Sequence, residues 1–487
     1  MEAVTVSPKF QVVIPRAVRA RTHIRVGERL QVGLGLALLT ASLGVLWERL
    51  LFVGLADVGA WFRAAGSVSS THIGGAHLEA MLVVLTPFAL AQATTSRRLA
   101  PLVFWLGVGV LGAASVLMTL SRAAAAAWVI VVAAFALSWW LGKRRPQPAR
   151  SRRRSAGIAV AVTFGLVAIA ALMAQSTHLR GRLEQSGADL PVRLAHWRGA
   201  LDLARSDPVH AVAGMGLGSF PREFYLAYAA QVKLPAYRLG RDSGTGRTFL
   251  SLSGGRGMYI DQRVDAAPGR ELLLRGQLRT SGEPASVSIA LCEKSFLTSV
   301  RCDWASAQAA TDWQPFEVRL KLPTSPGAGT WPRPPVSLSL HNSAFGSRID
   351  ITDLRLFDGS AELLANGSFE RSLDHWLMSS DEHLAWRVKN SALQVAFEQG
   401  LLGVLAWLVL LAGFVALVVR RAGEPPVAAS IAAALGFAAV GCFDTLLDAP
   451  RLVVLAALVL GCGSVAARQG LGQARVAAAD RSDPDGG

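Results

Sequence analysis

Arginine and histidine side chains near the ends of apolar segments are the residues of this chain best suited to chemistry. Arg122 and Arg451 lie at the ends of apolar runs, and Arg193 and Arg198 lie in the polar region that follows another run. A guanidinium group binds phosphate through two parallel hydrogen bonds and needs no metal ion. His383, in the same polar region, has the side chain most often used to accept a proton from a hydroxyl group. The pattern suits the binding and transfer of a phosphate-linked group.

Each of these residues also has an ordinary structural explanation. Arg122 could extend along an apolar surface with its charge in water, and Arg193 could lie on the solvated face of an amphipathic helix. A lone histidine in a polar loop, such as His383, more often makes a hydrogen bond than acts as a base. Further candidates for the base are His196, Glu382 and Glu398.

The composition is that of a membrane protein. Hydrophobic residues make up 52% of the 487 residues, and the mean hydropathy is +0.37, which is too apolar for an ordinary soluble protein. A helix needs about 20 apolar residues to cross the hydrocarbon core of a bilayer. Runs of about this length occur at residues 31–53, 77–95, 100–120, 123–142, 156–174, 395–419, 427–446 and 451–467. We therefore predict an α-helical polytopic membrane protein with about eight spans.

Basic residues predict the orientation of these spans. The segment KRRPQPARSRRR, residues 143–154, has seven basic residues in twelve, and short loops of this kind stay on the cytoplasmic side. Counting outward from this segment places both termini in the cytoplasm and the long polar region, residues 173–394, on the opposite side. The net charge of +15 is mostly a consequence of this topology and does not indicate nucleic-acid binding.

The middle of the polar region has the alternation of a β-sandwich. Stretches such as RTFLSLSG, GMYIDQRVDA, ELLLRGQLRT, ASVSIALCE, PFEVRLKLP, VSLSLHN and RIDITDLRLFD recur between residues 247 and 358, at the spacing of sandwich strands. The predicted units are residues 1–32, an N-terminal module; 33–174, spans one to five; 175–236, an amphipathic segment; 237–378, the inserted β-sandwich; 379–470, the end of the polar region and spans six to eight; and 471–487, a disordered cytoplasmic tail.

One segment of the predicted sandwich resembles a known family. The sequence LLANGSFERSLDHW, residues 363–376, resembles the NGSFE…W segment that opens jelly-roll carbohydrate-binding modules, although here it follows the other strands. The resemblance implies glycan binding, since aromatic rings stack on the apolar faces of sugars. The candidate aromatics are Trp304, Trp313, Trp331 and Trp376. The alternatives are that these rings belong to the sandwich core and that residues 366–370 form a turn at its edge.

Two motifs border the polar region. They are RLAHWRGALDLARSDPVHAVAGMGLGSF, residues 193–220, and KNSALQVAFEQGLLGVLAW, residues 389–407. Both resemble the borders of the large loop in the O-antigen ligase and Wzy-type polymerase family. Arg122, in LSRAAAAAW, is similar to the Ser-Arg-Gly/Ala motif of that family. The pair Lys389-Asn390 stands where the family has His-Asn, which is a departure from its pattern.

This second resemblance implies a membrane glycosyltransferase on the periplasmic face of a bacterial inner membrane. The donor would be an undecaprenyl-diphosphate-linked saccharide, the acceptor a glycan or the lipid A core, and the reaction an inverting transfer with no metal and no cofactor. The catalytic residues would be Arg122, Arg193 and His383. The substrate-binding residues would be Arg198, Lys389, Asn390, Trp376 and Arg451. Asp444 and Asp448 could orient Arg451 or the lipid headgroup.

The N-terminal segment resembles a third family. Residues 1–32, MEAVTVSPKFQVVIPRAVRARTHIRVGERLQV, resemble the strand-swapped DNA-binding module of AbrB and MazE-type antitoxins. The pattern predicts a strand at VSPKFQVVIP, a helix that begins at AVRAR and a returning strand at VGERLQV. DNA would be a partner only if this segment is a working domain, and a fusion or a misplaced start codon is the alternative.

Two other functions stay open. The chain could be a catalytically inactive glycan-binding or scaffold subunit of a polysaccharide export system, which the replacement at Lys389 favours. It could also be a membrane-tethered DNA-binding regulator, which depends on residues 1–32 alone. A further open question is whether Cys292 and Cys302 form a disulfide, which an oxidising periplasm would permit.

Overall fold

The structure is a computed structural model. It describes residues 5–6, 12–13, 26–54, 62–66, 68, 76–142, 186–232, 235–255, 257–282, 284–295, 298–322, 333–380, 384 and 386–482.

Ten α-helices lie in this described part of the chain. The helices before the polar region are α1 Val26–Phe52, α2 His77–Thr95, α3 Leu99–Met118 and α4 Arg122–Gly142. The helices within it are α5 Ser186–Ala204, α6 Pro208–Ala213 and α7 Phe220–Val232. The helices after it are α8 Ser391–Val418, α9 Pro425–Gly441 and α10 Pro450–Ser482, with a 3-10 turn at Val419–Arg421.

Six of these helices are long and apolar enough to span a membrane. Their apolar parts are Arg29–Phe52, His77–Thr95, Leu99–Met118, Arg122–Trp140, Ser391–Arg421 and Pro450–Arg468. Helix α9 is apolar but has only 17 residues. The predicted span at 156–174 lies outside the described residues, so the count of eight spans stays a prediction.

Helix α2 is the centre of the helical bundle. Its Leu82 and Phe88 are fully buried, and it packs against α1, α3 and α9. Helix α9 presents small buried residues such as Ala428, Ala432 and Ala433, which let helix backbones approach closely, as between helices in membranes. Helix α9, in the second half of the chain, therefore packs against α2 and α4 of the first half.

Residues 237–380 form a β-sandwich of two antiparallel sheets. Strands β1 Thr5–Val6 and β2 Val12–Val13 precede α1. The strands of the sandwich are β3 Tyr237–Arg241, β4 Thr248–Ser253, β5 Met258–Val264, β6 Glu271–Gly282, β7 Ala285–Ser295, β8 Thr298–Ala309, β9 Gln314–Lys321, β10 Val336–His341, β11 Ser347–Asp358, β12 Ala361–Glu362 and β13 Leu377–Ser380. One sheet has the order β13-β5-β10-β7-β8, and the other has the order β3-β4-β11-β6-β9 with β12 beside β11.

Alternating apolar residues build the core between the two sheets. Leu338 and Leu340 of β10 face Ile349 and Ile351 of β11 within one buried cluster, as the period-two pattern requires. The seven stretches expected to be strands are strands in the structure. Strand β8 was not predicted, because the residues that it turns to the core are small alanines such as Ala307, which make a weak apolar pattern.

The hairpin of β7 and β8 carries two connections. Cys292 and Cys302 stand opposite each other in the ladder and form a disulfide. At the tip, the hydroxyl of Ser295 donates to the Glu48 carboxylate of α1. Glu48 also accepts from the amide of Ala65 at 2.8 Å. The sandwich is thus attached to the helical bundle through a buried carboxylate.

The two ends of the chain differ from expectation. The chain reverses between Thr5–Val6 and Val12–Val13, which pair as short antiparallel strands, so VSPKFQVVIP is not one continuous strand. The expected strand VGERLQV forms about the first two turns of α1, because Glu, Arg, Leu and Gln favour a helix that the following apolar run extends. Helix α10 continues to Ser482, so the tail predicted to be disordered is helical over most of its length, as its run of alanines favours.

Candidate functional site

The starts of helices α2, α8 and α10 meet around a cavity on the side of the polar region. The cavity has a volume of about 500 Å³, and we call it the loop-side cavity. Its lining includes His77, Arg387, Gln394, Glu398, Asp448 and Arg451. The size is that of a pocket for a small organic ligand.

Two guanidinium groups flank the imidazole of His77 at one side of this cavity. Arg387 Nη1 lies 3.2 Å from His77 Nε2, and Arg451 Nη2 lies 3.2 Å from His77 Nδ1. Asp448 lies 3.4 Å from Arg387 Nε and 3.7 Å from His77 Nε2. Burial raises the pKa of Asp448, but the His77 hydrogen bond and the Arg387 charge outweigh it and hold that pKa below its ordinary value. Asp448 is therefore ionised at neutral pH and orients Arg387.

A buried ion pair lies beneath this cluster. Lys389 is only 2% exposed, and its Nζ lies 3.3 Å from both carboxylate oxygens of Asp444. Burial lowers the pKa of Lys389, and the charge of Asp444 opposes that effect. Asp444 also accepts a hydrogen bond from the amide of Ala76. The structure thus gives Lys389 a structural partner and does not bring it to the cavity wall, in contrast to the expected substrate contact.

Two more predicted residues hold the turn between α9 and α10, residues 442–449. Asn390 caps α8 by accepting from the amide of Leu393 at 3.0 Å, and it donates to the carbonyl of Cys442 at 3.0 Å. Arg193 Nη1 donates to the carbonyl of Phe443 at 2.9 Å. The two side chains position the turn that carries Asp444 and Asp448.

The remaining predicted residues lie elsewhere. Arg122 begins α4 and Arg198 is exposed on α5, and neither is among the described residues that line the cavity. His383 lies outside the described residues, as do Glu382 and Trp331.

Trp376 was expected to bind glycan, but the structure places it in the core of the sandwich. Its side chain is 7% exposed, its ring packs 5.4 Å from that of Phe369, and its Nε1 donates to the carbonyl of Asn366 at 3.1 Å. The ring has no open face for a sugar. Of the other candidate aromatics, Trp304 is 55% exposed on β8, and Trp313 packs against Arg279.

The loop after α6, which contains Gly214, Gly216 and Gly218, packs against a break in α8. Gly400 has φ 62° and ψ −161° inside α8, so the helix is interrupted there. The amides of Met215 and Gly216 donate to the carbonyls of Phe397 and Glu398 at 2.9 and 3.0 Å. The loop therefore replaces helical hydrogen bonds that the break removes and holds Glu398 at the cavity.

His196, another candidate base, lies behind the cavity. Its Nε2 lies 2.9 Å from the carbonyl of Arg387, and its ring meets those of Phe220 and Phe224 edge-on. Burial lowers the pKa of His196, and the hydrogen bond to Arg387 offsets this only in part. His196 therefore acts as a neutral ring that positions the backbone of Arg387.

Sequence reasoning missed His77 and Arg387, although it considered Glu398 and Asp448. Their positions could have identified them. Each is a charged or polar residue within a few residues of the start of an apolar helix, at the helix end that faces the polar region. Within the described residues, no cluster of three or more His, Cys, Asp or Glu side chains could hold a metal ion.

No family model matches the chain, and no curated protein matches its sequence. Neither the ligase resemblance nor the AbrB resemblance is therefore supported by a family match. Solved structures do match. One, the carbohydrate-binding module of PbXyn10C without ligand, has 18% identity and a TM-score of 0.22, and the match covers 31% of this chain and 89% of that chain.

Two further matches are similar. A putative sugar binding protein from Bacteroides thetaiotaomicron has 10% identity and a TM-score of 0.21 over 26% of this chain and 82% of its own. The CBM22-1 xylan-binding domain from Paenibacillus barcinonensis Xyn10C has 10% identity and a TM-score of 0.20 over 26% of this chain and 81% of its own. The chain thus contains a β-sandwich that resembles carbohydrate-binding modules, together with helices that could span a membrane.

Proposed function

We propose that this chain is a membrane glycosyltransferase of the O-antigen ligase or polymerase type. In this proposal it moves a saccharide from an undecaprenyl-diphosphate-linked donor to a glycan or lipid A core acceptor on the periplasmic face of the inner membrane. The observation that carries the proposal is the pair of guanidinium groups, Arg387 and Arg451, on either side of His77 in the loop-side cavity.

The charge of these groups suits the bond that has to break. When the anomeric carbon separates from its diphosphate, the bonding electron pair leaves with the diphosphate oxygen. Guanidinium groups that are already in place stabilise this charge as it develops, since they need no reorganisation during the reaction. Arg387 and Arg451 are the groups that would bind the diphosphate, and Asp448 would keep Arg387 in its orientation.

The position of the cavity also suits a lipid-linked donor. The cavity lies where α2, α8 and α10 begin, so a diphosphate headgroup would lie there while its lipid chain stays among the apolar helices. The exposed ring of Trp304 on the sandwich is the candidate contact for a glycan chain beyond the cavity.

A catalytically inactive glycan-binding or scaffold subunit is the second candidate. Lys389 favours this candidate, because it stands where the O-antigen ligase and polymerase family has a histidine and is held in an ion pair with Asp444. If the protein is inactive, surface glycan should still form when the guanidinium groups of Arg387 and Arg451 are removed.

The test is complementation of a strain that lacks the gene. Wild type, Arg451→Gln, Arg387→Lys and the control Arg319→Gln, at an exposed side chain on β9 of the sandwich, are expressed, and their amounts in the membrane fraction are matched. We expect long surface glycan from wild type and from the control. The two cavity variants should give little or none, because neither glutamine nor lysine has the guanidinium fork. Full glycan from both cavity variants would support the inactive subunit.

A further inference from the structure

Two polar side chains in the loop-side cavity lack a partner for one of their atoms. Gln394 and Thr445 are 4% and 2% exposed, and both line the cavity. Within the part of the chain that the structure describes, Gln394 Oε1 and Thr445 Oγ1 have no hydrogen-bond partner. Each such buried atom costs about 1–3 kcal/mol, so the arrangement is expected where a ligand completes the hydrogen bonds.

Glu398 lies beside Gln394. It is 8% exposed and lines the same cavity, and its carboxylate oxygens lie 3.5 Å from Gln394 Nε2, a long contact. The backbone around Glu398 is fixed, because its carbonyl accepts from the amide of Gly216 at 3.0 Å. A carboxylate held in this way is positioned before any ligand arrives.

The three side chains define the chemistry of a ligand that would complete their hydrogen bonds. An amide oxygen and a carboxylate only accept hydrogen bonds, and a threonine hydroxyl both donates and accepts. A ligand that satisfies all three has hydrogen-bond donors and no negative charge of its own, and the hydroxyl groups of a saccharide meet both conditions. This part of the cavity thus differs from the part around His77, Arg387 and Arg451, which suits an anion.

We propose that Gln394, Glu398 and Thr445 bind hydroxyl groups of the acceptor saccharide, and that Glu398 accepts the proton of the attacking hydroxyl. The acceptor oxygen forms the bond to the anomeric carbon, the bond from that carbon to the diphosphate oxygen breaks, and the electron pair leaves with the diphosphate. The acceptor proton passes to Glu398. This inference rests on the proposed glycosyl transfer and assigns the second substrate of the same cavity.

The experiment measures donor binding and transfer separately. Full-length wild type, Glu398→Gln, Gln394→Leu and Thr445→Val are purified in lipid nanodiscs. Binding of undecaprenyl diphosphate is measured directly, and transfer is measured by adding each protein to membranes of the deletion strain, which contain the native donor and acceptor. The control is Thr86→Val, a buried threonine outside the cavity whose hydroxyl donates to Leu82.

All variants are expected to bind undecaprenyl diphosphate as tightly as wild type. Transfer should fall by about a hundredfold or more in Glu398→Gln, which loses a proton acceptor, and about tenfold in Thr445→Val, which loses one hydrogen bond to the acceptor. The midpoint of thermal unfolding should not fall in Thr445→Val, because the change removes a buried polar atom without a partner.

Transfer at the wild-type rate by Glu398→Gln and Thr445→Val would overturn the acceptor site while leaving the proposed function in place. Weaker undecaprenyl diphosphate binding by these variants would also overturn it, because the residues would then serve the donor. If wild type neither binds undecaprenyl diphosphate nor restores glycan, the proposed function fails and the acceptor site fails with it.

Discussion

Gly214 and Gly400 lie so close together that a Cβ atom added to Gly400 would be 2.5 Å from the amide nitrogen of Gly214. A Cβ added to Gly214 would be 2.3 Å from the carbonyl oxygen of Glu398. Both glycines have positive φ, 83° and 62°. This contact seats the loop after α6 against the break in α8, and it therefore fixes the position of Glu398 in the loop-side cavity.

Replacing Gly400 by alanine is expected to disrupt this contact. The added methyl group meets backbone, which cannot move aside, and alanine disfavours the positive φ, so we expect a loss of at least about 2 kcal/mol and reduced transfer. The control is Gly413→Ala in the same helix, where nothing lies within 4 Å of the added Cβ. That control should be neutral or stabilising by about 1 kcal/mol. Thermal unfolding in detergent compares the two, and equal stabilities would contradict the close packing.

Truncation of Trp376 is expected to destabilise the β-sandwich. Trp376→Ala removes a ring that packs against Phe369 in the core, and a cavity of this size costs about 3–5 kcal/mol. The matched control is Trp304→Ala, which removes an exposed ring and should change stability by less than about 0.5 kcal/mol. Limited proteolysis of the full chain measures the opening of the sandwich. Equal proteolysis of the two variants would show that Trp376 is not a core residue.

Much of the sandwich could be predicted from the sequence, because its strands carry their burial pattern locally. The alternation in VSLSLHN and RIDITDLRLFD shows which residues face the core whatever the neighbouring strand is. The orientation of Trp376 could not be predicted in this way. Its segment is a series of turns in which Asn366, Phe369 and Ser372 have positive φ, and the direction of a side chain there follows no period.

The candidate site was less predictable because tertiary contacts assemble it. His77 and Arg387 are 310 residues apart in the chain, and neither stands in a distinctive local pattern. The border motif at residues 193–220 contains Gly214, but nothing in the sequence around it identifies Gly400 as the residue that Gly214 contacts. Lys389 and Asn390 were found next to the site, yet only the structure shows that their side chains are directed to Asp444 and to the carbonyl of Cys442.

Arg193 is expected to act by holding the turn between α9 and α10. Among the described residues, its side chain donates a hydrogen bond to the carbonyl of Phe443, which an ammonium group can also make. Arg193→Lys should therefore keep most of the transfer, and Arg193→Ala should lose more, about threefold to tenfold, as expected for one hydrogen bond. Surface glycan and the amount of protein in the membrane are measured together. If lysine fails as completely as alanine at equal protein levels, Arg193 binds the donor phosphate directly.

His196 is expected to make the stability of the protein depend on pH. Its pKa in the folded state is lowered, first by burial and then by the nearby charges of Lys389 and Arg193. The unfolded chain therefore takes up a proton at a higher pH than the folded protein does, near the ordinary pKa of 6.5. Stability linked to His196 is fully present above that pH and is lost as the pH falls toward the lowered pKa of the folded state.

The measurement is the midpoint of thermal unfolding between pH 7.5 and pH 5.5 for wild type and for His196→Gln. Glutamine does not titrate and can still donate to the carbonyl of Arg387, so the variant should lose less stability on acidification than wild type does. At pH 7.5 the two proteins should differ only by the change in packing against Phe220 and Phe224. An identical decrease in both proteins would assign the acid sensitivity to groups other than His196.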